Sequence, residues 1–234
     1  MAYMNGILLI DKPRGWTSFD VVNKVRRVIE QSGLSDTPRK RFPVGHTGTL
    51  DPLATGLLVL MLGNYTKKVP EYTKLDKTYE VTMRLGQTST TGDEEGEKTA
   101  VSNARPTKEE LLAAMSQFQG DIMQTPPIYS AIKINGQRAY KLARKGEIPE
   151  MTPRPATIYS FKLLSYSYPE VRCQVEVSSG TYVRSLVEDL GKVLGVGAYM
   201  PSLRRTQVGP FNIADALSGI ETLRAEDIVQ KIVD

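Results

Sequence analysis

The stretch VGHTGTLDPLATGLLVL, residues 44–60, joins a glycine-rich turn to an apolar run. It carries the chain's one histidine, His46, and the aspartate Asp51. An ionised carboxylate held on a rigid turn can serve as a nucleophile or a base. Pro52 fixes its own φ and biases Asp51 toward an extended backbone. Gly45 and Gly48 permit tight geometry or the close approach of a ligand. The same residues suit a plainer role in which Asp51 braces the turn, and the local sequence leaves both open. GHTGTLDP is neither a Walker A loop nor G-x-G-x-x-G, because no Gly-Lys-Ser/Thr closes it and the glycine spacing differs. The chain also has no His-Glu-x-x-His and no G-x-S-x-G elbow.

The whole chain bounds the chemistry further. Its 234 residues are 40% hydrophobic and 24% charged, the composition of a globular protein large enough to bury a core. No apolar run has the length of a membrane-spanning helix, and the start, MAYMNGILLIDKP, lacks the pattern of a signal peptide, so a cytoplasmic protein without membrane contact is expected. With one histidine and one cysteine, a structural zinc site has too few ligands. Cys173 alternates with Val171, Val175 and Val177 on one strand face and reads as a small buried hydrophobe. The net charge of +4 permits a polyanionic partner. Positive residues gather at 39–41, at Lys67 and Lys68, in RAYKLARK at 138–145, where Tyr140 is interleaved, and at Arg204 and Arg205.

These residues need elements to hold them. GILLIDK reads as a buried strand ended by Pro13 and Gly15. SFDVVNKVRRVIEQSG reads as a helix capped by Thr17 or Ser18, with Val21, Val25, Val28 and Ile29 inward and Gly33 at its end. NYTKKVPEYTKLD is turn-like or helical. KTYEVTMRLG alternates as a strand with Tyr79, Val81, Met83 and Leu85 on one face. QTSTTGDEEGEKT reads as an acidic loop whose charges serve solvation. A Thr-x-x-Glu pattern starts a helix at Thr107. Residues 154–180 suggest a hairpin turning near Tyr168 and Pro169. A helix follows with Val183, Leu186, Val187, Leu190 and Leu194 inward, stopped by Gly195; then come a strand and a short helical tail. Hairpins mixed with helices predict an α+β fold with a mixed, largely antiparallel sheet.

GHTGTLDPLATGLL resembles the signature of the TruB family of tRNA pseudouridine synthases. GILLIDKPRGWTS, DKTYEVTMRLGQTSTTGD, SSGTYVRSLVEDLG and LRRTQVGPF resemble its other motifs, in the same order and at similar spacing over nearly the whole chain. The resemblance implies a pseudouridine synthase core that isomerises uridine-55 in the T loop of tRNA, without metal or cofactor. It implies that Asp51 is the essential carboxylate, with attack at C1′, attack at C6 or removal of the 2′ proton left open. Arg184 matches the arginine that pairs with that aspartate; by position alone it could instead form a surface pair with Glu188. Tyr79 matches the tyrosine stacked on the target base, although its phase also suits a core aromatic. His46 matches the histidine that holds the base out of the loop, and Tyr182 and Leu203 match further substrate-pocket positions.

Residues 128–153 resemble the family's insertion that closes over the T arm. Arg138, Lys141, Arg144 and Lys145 are therefore expected to contact RNA phosphates. The expected organisation is a catalytic domain over 1–215 and a short tail over 216–234, in place of the PUA-type domain that family members usually carry. A monomer that needs no protein partner is the expectation. A non-catalytic RNA-binding module and an isomerase guided to another RNA are the competing readings. The first has no use for Asp51, Tyr79 and Arg184 together, and the second carries longer extensions.

Overall fold

The fold is described from a computed structural model. It describes residues 4–34, 41–130, 132–134, 136–143, 145–147 and 149–233. The chain divides into two compact units, Met1–Tyr79 with Leu203–Asp234, and Glu80–Ser202.

The first unit is organised by two apolar strands. β1 (Gly6–Lys12) is buried at every position but Asp11, and β1 pairs antiparallel with β3 (Thr55–Leu62), from Gly6 opposite Leu62 to Lys12 opposite Gly56. Both faces of this pair are covered, which is why the strands read as continuous apolar runs. On one face, Leu8, Ile10, Leu58 and Leu60 pack against Val21, Val25 and Ile29 of α1 (Ser18–Gln31). On the other, Ile7, Leu9, Leu57, Val59 and Met61 meet Val69, Tyr72 and Leu75. α1 starts with a capping box between Thr17 and Asp20. Thr17 is thus the cap, and Ser18 is buried and serves the neighbouring loop instead. Val28 is only partly buried, whereas Val22 and Arg26 join the buried face. The short strand β2 (Val44–His46) pairs antiparallel with β3, His46 opposite Leu60. A 3-10 turn at Gly63–Lys68 and α2 (Val69–Tyr72) follow.

β4 (Lys77–Leu85) leads into the second unit and alternates as expected, with Tyr79, Val81, Met83 and Leu85 all buried. β5 (Gln87–Ser89) and β6 (Lys98–Ala100) form a small hairpin. Thr107 and Glu110 make the capping box of α3 (Lys108–Ser116). Then come β7 (Gly120–Gln124), the two-residue strands β8 (Lys133–Ile134) and β9 (Gln137–Arg138), and α4 (Ala139–Ala143). β10 (Arg154–Ser167) and β11 (Glu170–Val177) form the hairpin around Tyr168 and Pro169. In this unit the strand order is β4-β11-β10-β7. Val171, Cys173, Val175 and Val177 are buried, and burial pushes the Cys173 thiol up to about 12, so it is an inert hydrophobe at neutral pH. α5 (Val183–Val193) buries Val183, Leu186, Val187 and Leu190.

β12 (Ala198–Val208) returns the chain to the first unit, where Arg204 and Arg205 lie parallel to Thr55 and Gly56 of β3. β13 (Phe211–Asn212) folds back on β12. Two 3-10 turns and α6 (Ala225–Lys231) complete the tail. The tail is part of the core: Ile220, Leu223 and Ile228 are buried beside α1 and β3, and Val233 bridges to Ile7. The β1–β3, β2–β3, β10–β11 and β7–β10 pairings are antiparallel and β3–β12 is parallel, so the α+β fold has a mixed, largely antiparallel sheet. Among the described residues, no helix is long and apolar enough to cross a membrane.

Candidate active site

Asp51 sits in the connection between β2 and β3, and its neighbours are tied down on both sides. The hydroxyl of Ser18 accepts from the Leu50 N–H at 2.8 Å and donates to the Leu50 carbonyl at 3.1 Å. The Pro52 carbonyl accepts from the Gly15 N–H at 2.8 Å and from Lys12 Nζ at 3.4 Å. The Asp51 carbonyl itself closes a turn with the Ala54 N–H. The stretch from Lys12 to Ser18 thus fixes the backbone before and after the carboxylate, which is half-buried. Gly45 and Gly48 do not need a left-handed backbone here. The glycine with no substitute is Gly56, where φ is 101° and a Cβ would fall 2.2 Å from the Arg205 carbonyl oxygen.

Three cations are buried around this loop. Lys12 is fully buried and donates to the carbonyls of Pro13 and Trp16 as well as Pro52. Lys77 donates to the carbonyls of Thr73 and Leu75. Arg205 donates from Nε to the Leu57 carbonyl at 2.7 Å and from Nη2 to the Gly48 carbonyl at 3.0 Å. Burial lowers Lys12 and Lys77 to about 8, with the Arg205 charge acting in the same direction, while the Asp51 carboxylate pulls Lys12 back up. The sequence grouped Arg204 and Arg205 in one basic cluster, and the structure separates them. Arg205 is buried, and Arg204 grips Asp11 with two contacts, Nη2–Oδ2 at 2.7 Å and Nη1–Oδ1 at 3.1 Å. Arg205 serves the interior, where two backbone carbonyls accept from it, while Arg204 stays partly exposed beside Asp11.

The other expected pocket residues of this unit are distributed over three strands. His46 ends β2; burial, then the Arg205 charge, lowers its pKa, so the imidazole is neutral at neutral pH. Its Nδ1 is buried without a hydrogen-bond partner among the described residues. Tyr79 is buried on the apolar face of β4, and Leu203 is partly exposed on β12 beside Arg204.

Arg184 and Tyr182 belong to the second unit. Arg184 is 7% exposed in the first turn of α5. Its Nη1 lies 3.4 Å from Asp93 Oδ2 and donates to the Thr91 carbonyl at 3.1 Å. Asp93 is itself buried, and its Oδ1 accepts from the Thr91 hydroxyl and the Glu95 N–H. One sequence expectation changes and one alternative reading falls. The acidic loop does not simply solvate its charges, because Asp93 is drawn inward to a guanidinium far away in sequence. Arg184 does not belong to a surface ion pair with Glu188, because it is buried. Burial raises the Glu188 carboxyl above the usual range, with Lys192 and Arg184 acting against that rise. Gly92, at φ 74°, passes so close that a Cβ would lie 2.1 Å from Glu188 Oε1 and 3.0 Å from Arg184 Cγ and Cδ. Tyr182 caps α5 through Gln124, which accepts from its N–H at 2.8 Å and donates to its carbonyl at 3.0 Å.

Of the residues expected to meet phosphates, Arg138 on β9, Lys141 on α4 and Lys145 just after it are exposed, and Arg144 lies outside the described residues. Lys67 and Lys68 are exposed as well, with Lys68 Nζ 4.0 Å above the Tyr65 ring. Arg39 and Lys40 lie outside the described residues, and Arg41 is exposed and donates to Asn23. Sequence reasoning missed Lys12, Lys77, Arg205 and Asp93. Lys12 carried a signal, a cation at the end of a strand that is apolar up to Asp11.

A family model described as TruB family pseudouridylate synthase (N terminal domain) matches residues 38–183. A second, tRNA pseudouridylate synthase B C-terminal domain, matches residues 184–231. The chain is 48% identical to the tRNA pseudouridine synthase B of Pseudomonas aeruginosa, over 94% of this chain and 69% of that protein. It is 46% identical to the protein of the same name from Gluconacetobacter diazotrophicus, over 92% and 67%. Among solved structures it is similar to a chain of a Cbf5-Nop10-Gar1 complex, with a TM-score of 0.69 and 28% identity over 91% of this chain and 52% of that one. It is also similar to a chain of an H/ACA RNP bound to a substrate RNA containing 2'-deoxyuridine, with a TM-score of 0.65 and 26% identity. The chain spans about half the length of those two structures' chains. On the family model and the identity to its relatives, the chain belongs to the TruB family of pseudouridylate synthases.

Proposed function

We propose that this chain isomerises uridine-55 in the T loop of tRNA to pseudouridine, with Asp51 as the essential carboxylate. The observation that carries the reading is the 48% identity, over nearly the whole chain, to a protein named tRNA pseudouridine synthase B. In the reaction the C1′–N1 bond breaks, the uracil turns, and C5 bonds to C1′. N1 takes up a proton and C5 gives one to solvent, so no redox partner is needed. The clamped backbone on either side of Asp51 supports its role, since a fixed carboxylate meets a bound nucleotide without reorganising.

The remaining roles follow the family resemblance. His46, neutral, offers its imidazole to the extruded base. Tyr79 stacks on that base, and Tyr182 and Leu203 border it. Arg184 supplies the guanidinium, anchored by Asp93 and Thr91. Extruding a stacked base costs on the order of a few kcal/mol. The exposed Arg138, Lys141 and Lys145, with Arg144, offset part of this through phosphate contacts from the insertion at 128–153.

Release of tritium from uracil C5 of a T-arm transcript tests the reaction. Wild type releases tritium, and Asp51→Asn loses at least about a thousandfold in kcat while still binding the RNA. An inert wild type refutes the function, and normal release by Asp51→Asn refutes the role of the aspartate. Neutralising Arg138, Lys141 and Lys145 lowers affinity and flattens its salt dependence; an unchanged salt slope removes these residues from the interface.

A further inference from the structure

The loop that carries Asp51 is held at both ends by one side chain. Arg205 lies on β12 in register with Gly56 of β3 and is 2% exposed. Its Nη2 donates to the carbonyl of Gly48, three residues before Asp51, and its Nε donates to the carbonyl of Leu57, six residues after it. A planar guanidinium presents these donors at a fixed angle, so the two carbonyls cannot drift independently; a lysine ammonium, a single point charge on a flexible stem, imposes no such geometry. The exit of the loop also lies directly on the Arg205 backbone, which is why Gly56 admits no Cβ. The same guanidinium faces three charged or titratable groups on three other strands: Lys12 on β1, His46 on β2 and Lys77 on β4. Burying a charge whose hydrogen-bond partners are neutral carbonyls is expensive. An apolar side chain would fill the space at less cost but would supply neither carbonyl with a donor.

We infer that Arg205 is the positioning residue of the Asp51 loop, holding its entry and exit at the separation that turnover requires. It acts through the loop and touches neither the base nor the reacting carbons. The inference rests on the proposed reaction, because it concerns the rate at which the Asp51 carboxylate engages its substrate. A displacement of about 1 Å at a reacting group can cost a hundredfold in rate, so the expected signature is a loss in kcat with KM preserved.

The experiment uses Arg205→Lys and Arg205→Gln in the full chain, assayed by tritium release from T-arm RNA, with thermal unfolding measured in parallel. The expected result is a fall in kcat of about tenfold for Arg205→Lys and about a hundredfold for Arg205→Gln, with KM within about threefold of wild type and both proteins folded at the assay temperature. A folded Arg205→Gln with kcat within about twofold of wild type overturns the inference. So does a rate loss that matches the unfolded fraction, or a failure of both variants to fold, since either makes Arg205 a residue of general stability. The C2 proton of the one histidine gives a reading independent of activity. Its titration midpoint rises in Arg205→Gln, where the facing charge is gone, and stays in place in Arg205→Lys. An unmoved midpoint in Arg205→Gln overturns the placement of the guanidinium at this loop. If wild type releases no tritium, the proposed reaction fails, and the histidine titration still reports on the geometry.

Discussion

The surroundings of Asp51 and those of Arg184 handle buried charge in opposite ways. Around Asp51, the cations Lys12, Lys77 and Arg205 donate to backbone carbonyls. Around Arg184, a buried carboxylate, Asp93, lies 3.4 Å away and is itself held by a hydroxyl and an amide. Carbonyls satisfy hydrogen bonds but carry no net charge, so the lysines of the first region feel burial strongly, and the Asp51 and Asp76 carboxylates offset it only in part. A carboxylate cancels charge as well as satisfying donors, so the second region is a compensated pair. The first arrangement leaves Lys12 and Lys77 with lowered pKa values. The second fixes where a guanidinium points.

Breaking the compensated pair has the largest expected effect. Asp93→Asn keeps the shape and removes the charge, leaving a buried guanidinium without that compensation; stability should fall by about 3 kcal/mol in denaturant titration. Because the guanidinium loses its anchor, kcat should fall by about a hundredfold in the tritium assay. A variant as active and as stable as wild type would place the orientation of Arg184 elsewhere. Gly92→Ala tests the same region by crowding. The alanine Cβ meets Glu188 and the Arg184 stem, and the backbone is left-handed, so a loss of about 1–3 kcal/mol and a smaller fall in kcat are expected. Equal stability of Gly92→Ala and wild type would mean that the turn relaxes without disturbing Arg184.

The first region is tested by pH, with the smallest effect. Lys12 is near 8 in the folded chain and near 10.5 when unfolded. Between these values the unfolded state binds the extra proton, so the contribution of Lys12 to stability rises with pH across that window and is lost as pH falls through about 8. Cys173 acts in the opposite sense, since burial raises its thiol and its contribution is lost as pH climbs from 9 toward 12. Lys12→Met leaves Cys173 untouched, so the difference between the two proteins isolates the lysine. Unfolding free energies should diverge in favour of wild type by about 2 kcal/mol or less from pH 8 to 10.5. Parallel curves would show that the Lys12 ammonium carries no burial penalty.

Elements whose cause is local were legible in the sequence. The alternation of Tyr79, Val81, Met83 and Leu85 and the capping box at Thr107 depend on neighbours within a few residues, and both appear as read. The choice of Thr17 over Ser18 as cap was not legible, because it turned on Leu50, whose backbone captures the Ser18 hydroxyl. The burial of Asp93 was equally hidden, since a carboxylate among glycines and glutamates reads as solvated until Arg184 arrives from α5. Arg204 and Arg205 read as one cluster although one grips a carboxylate and the other two carbonyls on separate segments.

The sequence by itself determined the family through the order and spacing of its motifs, the strand and helix faces through their periodicity, and Asp51 as the candidate carboxylate. Only the tertiary structure decided which charges are buried and what compensates them. Burial of an ion depends on donors and acceptors that the fold brings from distant positions, and residue type alone does not state whether a lysine ends in water, beside a carboxylate or among carbonyls.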